Sequence, residues 1–287
     1  MGDLDARAVA ITGGARGIGR AIASQLAAGG ARVAIGDMDL ETAERTAAEL
    51  GDAVHALHVD VTDRSSVDAF VDGAEELVGP LDVFVNNAGI LLVGPFLEED
   101  DGATAKQIAV NLMGVIHGMR AVLPRMRDRG RGQVVNVASS ASWVGPPGEA
   151  TYGATKHAVL GLTDAVREEM DGTGVVLTGV YPGLVDTELA KGTQPPRTTK
   201  WISPDQVAEA VVGAIREPRT DVFVPRDLNL TLRFARAAPT RLRHRFVRSL
   251  DLNRVTATTS PAERAGYMKR IGLDPQAAGR GTSRDDA

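Results

Sequence analysis

Short apolar runs alternate along the chain with longer stretches whose apolar residues recur every three or four positions. The short runs are "AVAIT" (8–12), "ARVAIG" (31–36), "AVHALHV" (53–59), "LDVFVNN" (81–87), "GQVVNVAS" (132–139), "GVVLTGVYP" (174–182) and "DVFVP" (221–225). They lack a clean apolar/polar alternation, so each reads as a strand buried on both faces of a parallel sheet. Helical patterns between them cover 17–29, 39–50, 64–78, about 101–128, 151–170 and a stretch opening at 203. Ile18, Ile22 and Leu26 share one face of the first. The last opens on "SPDQ", where Ser203 caps, Pro204 fits the first turn and Gln206 closes a capping box. This alternation predicts an α/β fold: a single doubly wound, Rossmann-type parallel sheet of seven strands with helices on both faces, over residues 1–225.

Composition narrows the class. With 43% apolar and 24% charged residues in 287, the chain has ample material for a buried core. No run of eighteen apolar residues is present, so no membrane-spanning helix is expected. "MGDLDARAVAITGG" shows neither a secretory signal nor a myristoylation pattern. With no cysteine, disulfide and thiol chemistry are excluded, and a cytoplasmic location is expected. Residues 226–287 hold thirteen Lys and Arg against six Asp and Glu, a surplus of seven. Given a net charge of −5, residues 1–225 carry −12. An acidic body argues against nucleic acid as a partner.

In doubly wound folds, ligands bind at the carboxyl ends of the strands. After the first strand comes "TGGARGIG", where Gly13, Gly17 and Gly19 let backbone approach a pyrophosphate at a helix N-terminus. After the second comes Asp37, eighteen residues beyond Gly19. A carboxylate there accepts both ribose hydroxyls and repels a 2′-phosphate, favouring NAD over NADP. Arg16 pulls the other way, since a guanidinium beside the glycines suits a 2′-phosphate. After the third comes Asp60, placed to meet the adenine amino group. After the fourth comes "NNAG" (86–89), after the fifth Ser139, and after the sixth "PGLVDT" (182–187). "YGATK" puts Tyr152 and Lys156 one helical turn apart. A free Tyr titrates at about 10. A neighbouring ammonium favours the phenolate, bringing a phenol closer to useful acid–base work near neutral pH.

Together "TGGARGIG", "DV" (60–61), "NNAG", Asn111 in "VNLMG", Ser139, "YGATK" and "PGLVDT" resemble the short-chain dehydrogenase/reductase family, in its order and spacings, across about residues 5–225. The resemblance implies that Tyr152 is the general acid in reduction and the base in oxidation. Lys156 holds the nicotinamide ribose and lowers the Tyr152 pKa. Ser139, chosen over Ser140 and Ser142 for lying thirteen residues before Tyr152, hydrogen-bonds the substrate oxygen. Asn111 helps hold a water relaying protons from Lys156. Gly13, Arg16, Gly17, Ile18 and Gly19 line the pyrophosphate. Asp37 takes the adenosine ribose, and Asp60 and Val61 the adenine. Asn87, Ala88 and Gly89 flank the cofactor, and Pro182, Gly183, Val185 and Thr187 meet its nicotinamide end. The family also implies a homo-oligomer, a tetramer or dimer. The five histidines show no metal-ligand spacing, so no metal is expected.

Residues 187–202 are expected to cover the substrate as a lid, with Leu189, Trp201 and Ile202 as an apolar wall. "GILLVGPF" (89–96) adds apolar surface at the same mouth, and Trp143 is expected beside it. The substrate is therefore expected to be a mostly apolar secondary alcohol or ketone: steroid-, retinoid- or lipid-like, or a small alcohol. Residues 226–272 read as a basic helical extension and 273–287 as a disordered tail. In "TRLRHRFVRSL" (240–250) Leu242, Phe246 and Leu250 share one face among arginines. Three readings stay open for it: packing on the body, capping the cleft or a neighbouring subunit, and contact with anionic lipid. "SPAERAGYMKRIG" (260–272) is a second helix, capped by Ser260 and Glu263 and stopped by Gly272. The alternative to an enzyme is a silent dinucleotide-binding sensor or scaffold acting through this extension.

Overall fold

The computed structural model describes residues 4–193, 200–249 and 261–274. Seven strands form one sheet: β1 (Ala8–Thr12), β2 (Arg32–Asp37), β3 (Val54–His58), β4 (Val83–Asn86), β5 (Gly132–Val137), β6 (Val175–Pro182) and β7 (Asp221–Val224). The order is β3-β2-β1-β4-β5-β6-β7, and every pairing is parallel. Strand order reverses between β1 and β4, which opens a crevice at their carboxyl ends. The helices are α1 (Gly17–Ala28), α2 (Leu40–Leu50), α3 (Arg64–Val78), α4 (Asp101–Ile108), α5 (Gly114–Asp128), α6 (Ala150–Glu169), α7 (Pro204–Arg216), α8 (Leu228–Ala237), α9 (Thr240–Ser249) and α10 (Pro261–Arg270).

The pleat sorts each strand between two cores. Ala8, Ala10, Phe84, Val134 and Phe223 face the core holding α3, α5 and α6. Their neighbours Val9, Ile11, Val83, Val85, Val135, Val222 and Val224 face α1, α2 and α7. With both faces covered, apolar residues occupy successive positions and no alternation survives. The expected capping box opens α7: Ser203 Oγ accepts from Gln206 N at 3.2 Å, and Gln206 Oε1 from Ser203 N at 2.9 Å.

The long helical pattern at 101–128 is helical throughout but not uniform. A five-residue π-turn, Ala109–Met113, separates α4 from α5. Two glycines then draw α5 onto the sheet. A Cβ on Gly118 would lie 2.2 Å from Asn86 Oδ1, and one on Gly114 2.9 Å from Val61 Cγ2.

Beyond β7, α8 buries Leu232 and Ala235 against the body. Trp143, expected at the cleft, instead stacks on Tyr181 and Phe223 with ring centroids 5.5 and 5.3 Å away, under the guanidiniums of Arg233 and Arg236. Two cations over one indole hold it on the α8 side of the sheet. α10 ends at Gly272, whose φ of +68° is the left-handed stop the sequence predicts. Leu250, the capping residue Ser260 and the tail beyond Asp274 lie outside the described residues, as do Gln194–Thr199 of the expected lid; of Phe246 only the backbone is described.

Candidate active site

A cleft of about 470 Å³ opens at the strand reversal. Its floor is the β1–α1 turn. Gly13 has φ +65°, and a Cβ there would lie 2.9 Å from Ala88 Cα. On Gly19 a Cβ would strike Gly13 O at 2.2 Å, so only glycine lets the first turn of α1 close against the loop. Asn87 locks this geometry by donating from Nδ2 to Thr12 O (3.0 Å) and Gly13 O (2.9 Å). Arg16, the N-cap of α1, supplies no side-chain cap. The unpaired N–H groups of that first turn therefore suit an anion. This floor fits a dinucleotide diphosphate.

The side expected to take adenosine is built from carboxylates. Asp37 accepts from Ala15 N (3.2 Å) and Asp39 N (3.1 Å), which fixes it at the cleft edge. Asp60 accepts from Thr62 N and Oγ1 through one oxygen. Arg16 also lines the cleft, but its guanidinium is committed to Asp39 Oδ2 and Thr42 Oγ1, both at 2.7 Å. That hydrogen bond, with Thr42's, holds the Asp39 carboxyl down at about 2. Gly17, Ile18, Val61, Ala88, Gly89 and Thr187 complete the predicted residues on the wall. Gly19, Pro182, Gly183 and Val185 lie behind it. Val185 bridges Ile202 and both are buried in the α1–α7 core, so of the expected apolar wall only Leu189 reaches the cleft.

The four residues predicted for chemistry do not line this cleft; they gather behind its Gly89 and Ile90. Tyr152 and Lys156 occupy one face of α6 and are both buried. Lys156 Nζ donates to Val137 O at 3.1 Å and lies 5.7 Å from the Tyr152 ring centroid. Burial brings its ammonium down to about 8. Asn111 sits in the π-turn, which turns its side chain inward. Its Oδ1 accepts from Ile90 N, and its Nδ2 donates to Ile90 O, both at 2.8 Å. A Cβ on Gly89 would lie 3.4 Å from Asn111 Oδ1 and 3.7 Å from Lys156 Nζ. Ser139 completes the group, close enough to the Tyr152 phenol to act on it, with its Oγ accepting from Ala141 N at 3.1 Å.

The phenol departs from expectation. Its pKa is raised rather than lowered, because burial outweighs every other influence; Ser139 opposes it, while Glu149 and Tyr267 add to it. The Lys156 ammonium donates to a backbone carbonyl rather than to this phenol.

The segments that bury the phenol are tied together by α10, which the sequence left with an open role. Arg264, 1% exposed, donates to Leu91 O (2.6 Å), Leu189 O (3.2 Å) and Lys191 O (3.0 Å). It thereby pins the segment after β6 to the loop after β4. Tyr267 Oη accepts from Leu91 N at 2.8 Å and lies under the Arg264 guanidinium. Glu149, also buried, has its carboxyl pushed up to about 7 by desolvation, against the pull of Arg264. Leu91, Val93, Ala141 and Leu189 pack around Tyr152. A signal for α10 existed: Arg264, Tyr267, Met268 and Ile271 recur at i, i+3, i+4 and i+7, an arginine on an otherwise apolar face.

The family model for short chain dehydrogenase matches residues 7–198, about two thirds of the chain. The chain belongs to the short-chain dehydrogenase family. Its members include a 3-alpha-(or 20-beta)-hydroxysteroid dehydrogenase of Mycobacterium bovis, 37% identical over 76% of this chain and 80% of that protein. A sorbitol dehydrogenase of Cereibacter sphaeroides is 40% identical over 64% of this chain and 73% of its own length. Among solved structures, a short-chain dehydrogenase/reductase from Burkholderia phymatum in complex with NAD superposes with a TM-score of 0.74. It is 29% identical, covering 82% of this chain and 94% of that one. The region matched to this dehydrogenase family contains the glycine turn and the four inner residues, whereas α8, α9 and α10 lie beyond it.

Proposed function

We propose that this chain is an NAD(H)-dependent dehydrogenase that interconverts a secondary alcohol and a ketone. The gathering of Ser139, Tyr152, Lys156 and Asn111 directly behind Gly89 and Ile90 of the glycine-floored cleft carries the reading. When bound, the nicotinamide dinucleotide supplies or accepts a hydride at the substrate carbon. Gly13, Gly17, Ile18 and Gly19 shape its diphosphate site, Asp37 selects an unphosphorylated ribose, and Asp60 and Val61 border the adenine. Tyr152 holds the transferred proton at its phenol oxygen, giving it in reduction and taking it in oxidation. Ser139 orients the substrate oxygen toward that phenol. Lys156, titrating at about 8, keeps a large charged fraction at neutral pH and fixes the nicotinamide ribose. Asn111 ties the π-turn to Ile90 and so sets the wall beside Lys156.

The apolar ring of Leu91, Val93, Ala141 and Leu189 favours a largely apolar substrate, closer in character to a hydroxysteroid than to a polyol. A homo-oligomer belongs to the same reading, supported by exposed Ile108 and Met113 along the α4–α5 stretch, and so does a cytoplasmic location. The test is an alcohol and ketone screen read at the NADH absorbance band with both cofactors, on wild type and Tyr152→Phe. Turnover with NAD(H), lost at least a thousandfold (on the order of the general-acid contribution and above) in a variant that still binds NADH, is the expected result. Turnover persisting in Tyr152→Phe would refute the proton assignment, and better binding of NADPH would refute the role of Asp37.

A further inference from the structure

Three cationic side chains line the cleft: Arg16, Lys106 and Arg270. Arg16 is held on the side expected to take adenosine by Asp39 and Thr42. Arg270 arrives from the last turn of α10, outside the family match. It forms an ion pair with Glu188, and the two side chains remain 34% and 47% exposed. Glu188 follows Thr187, whose Cγ2 lies 3.4 Å from the Cβ position of Gly17, the first residue of α1. The Arg270–Glu188 pair therefore borders the turn whose glycines and free N–H groups suit a diphosphate. Lys106 braces the same edge, its Nζ 3.0 Å from the Cβ position of Gly272.

A carboxylate at this border opposes an arriving dianion, and among the described residues Arg270 is its ion-pair partner. A guanidinium presents a planar fork that matches two phosphate oxygens. Exchanging a half-exposed carboxylate for a diphosphate against a helix N-terminus gains charge and geometry for Arg270, while Glu188 is free to turn to solvent. Tyr267 and Ile271 line the cleft beside Arg270, so the exchange would occur under a surface α10 already supplies. On the reading that the cleft holds a nicotinamide dinucleotide, we propose that Arg270 is a diphosphate-binding residue, through which the C-terminal helix clamps the cofactor into the cleft.

The test is equilibrium binding on the full-length protein, following NADH fluorescence, with adenosine and ADP as displacing probes. Arg270→Ala is expected to weaken NADH and ADP by about tenfold, the size of one lost charge-assisted contact, and to leave adenosine within twofold. Glu188→Gln is expected to tighten NADH, because it removes a repelling charge and releases the guanidinium. Melting curves of both variants show whether α10 stays seated. NADH affinity unchanged in Arg270→Ala would overturn the proposal, as would equal losses for adenosine and ADP, which mark a helix displaced rather than a contact deleted. Wild-type protein that binds neither NADH nor NADPH would instead overturn the dinucleotide reading itself, and this one with it.

Discussion

Glu149 and Tyr152 stand one turn apart at the start of α6, and burial governs both. The Glu149 carboxyl, raised to about 7 by desolvation, is disfavoured in its charged form in the folded state. Its native state holds more protons than the unfolded chain between roughly pH 4.5 and 7, so stability falls as pH rises through that window. The full penalty, about 3 kcal/mol from the size of the shift, is present above pH 7 and absent below about 4.5. Glu149→Gln is therefore expected to raise the melting temperature at pH 8 and leave it unchanged at pH 4; an equal gain at both would show that charge is not the cause. At this scale the spacing of Tyr152 and Lys156 was legible, because four residues on a helix is a local fact. The direction of the phenol's shift was not, because it depends on Tyr267 and Glu149 and on burial supplied from far along the chain.

Elements were legible where one period persisted. All seven strands appear within about two residues of the apolar runs that announced them, and the capping box of α7 forms as written. The helical stretch at 101–128 appears as read, but the π-turn inside it was not legible, since it adds one residue without breaking the apolar face. That extra residue aims Asn111 at Ile90, and the packing of α5 keeps it there. Gly118 allows that packing, against an Asn86–Asn136–Thr163 hydrogen-bond chain in the core. Gly118→Ala is expected to cost about 1–3 kcal/mol by overpacking and to lower turnover more than NADH affinity, measured by melting and steady-state kinetics. Unchanged kcat in a clearly destabilised variant would separate α5 packing from the site. Ile202 and Trp143 were assigned to the mouth, and Val185 to the nicotinamide end. In space, Val185 and Ile202 pair with each other in the α1–α7 core, and β7 and α8 hold Trp143.

At the scale of the molecule, an acidic body of −12 meets a basic C-terminal segment of +7. The structure divides the roles of that segment. α8 docks on the sheet through Leu232 and Ala235, whereas α10 covers the cleft. The apolar residues left exposed along α4 and α5 carry the oligomer prediction. Light scattering is expected to give a multiple of the 30.1 kDa chain, and Ile108→Glu with Met113→Glu is expected to dissociate it; a monomeric wild type would end that reading. No described helix is long and apolar enough to cross a membrane.

One helix reaches two parts of the molecule, since α10 borders the cleft through Tyr267, Arg270 and Ile271 and fastens the segments packed around Tyr152 through Arg264. On the proposed function, a change at either place is felt at the other through one shared element. Alcohol and dinucleotide are then expected to bind in a fixed order, which product-inhibition patterns read directly; independent, random-order binding would show that α10 does not link them.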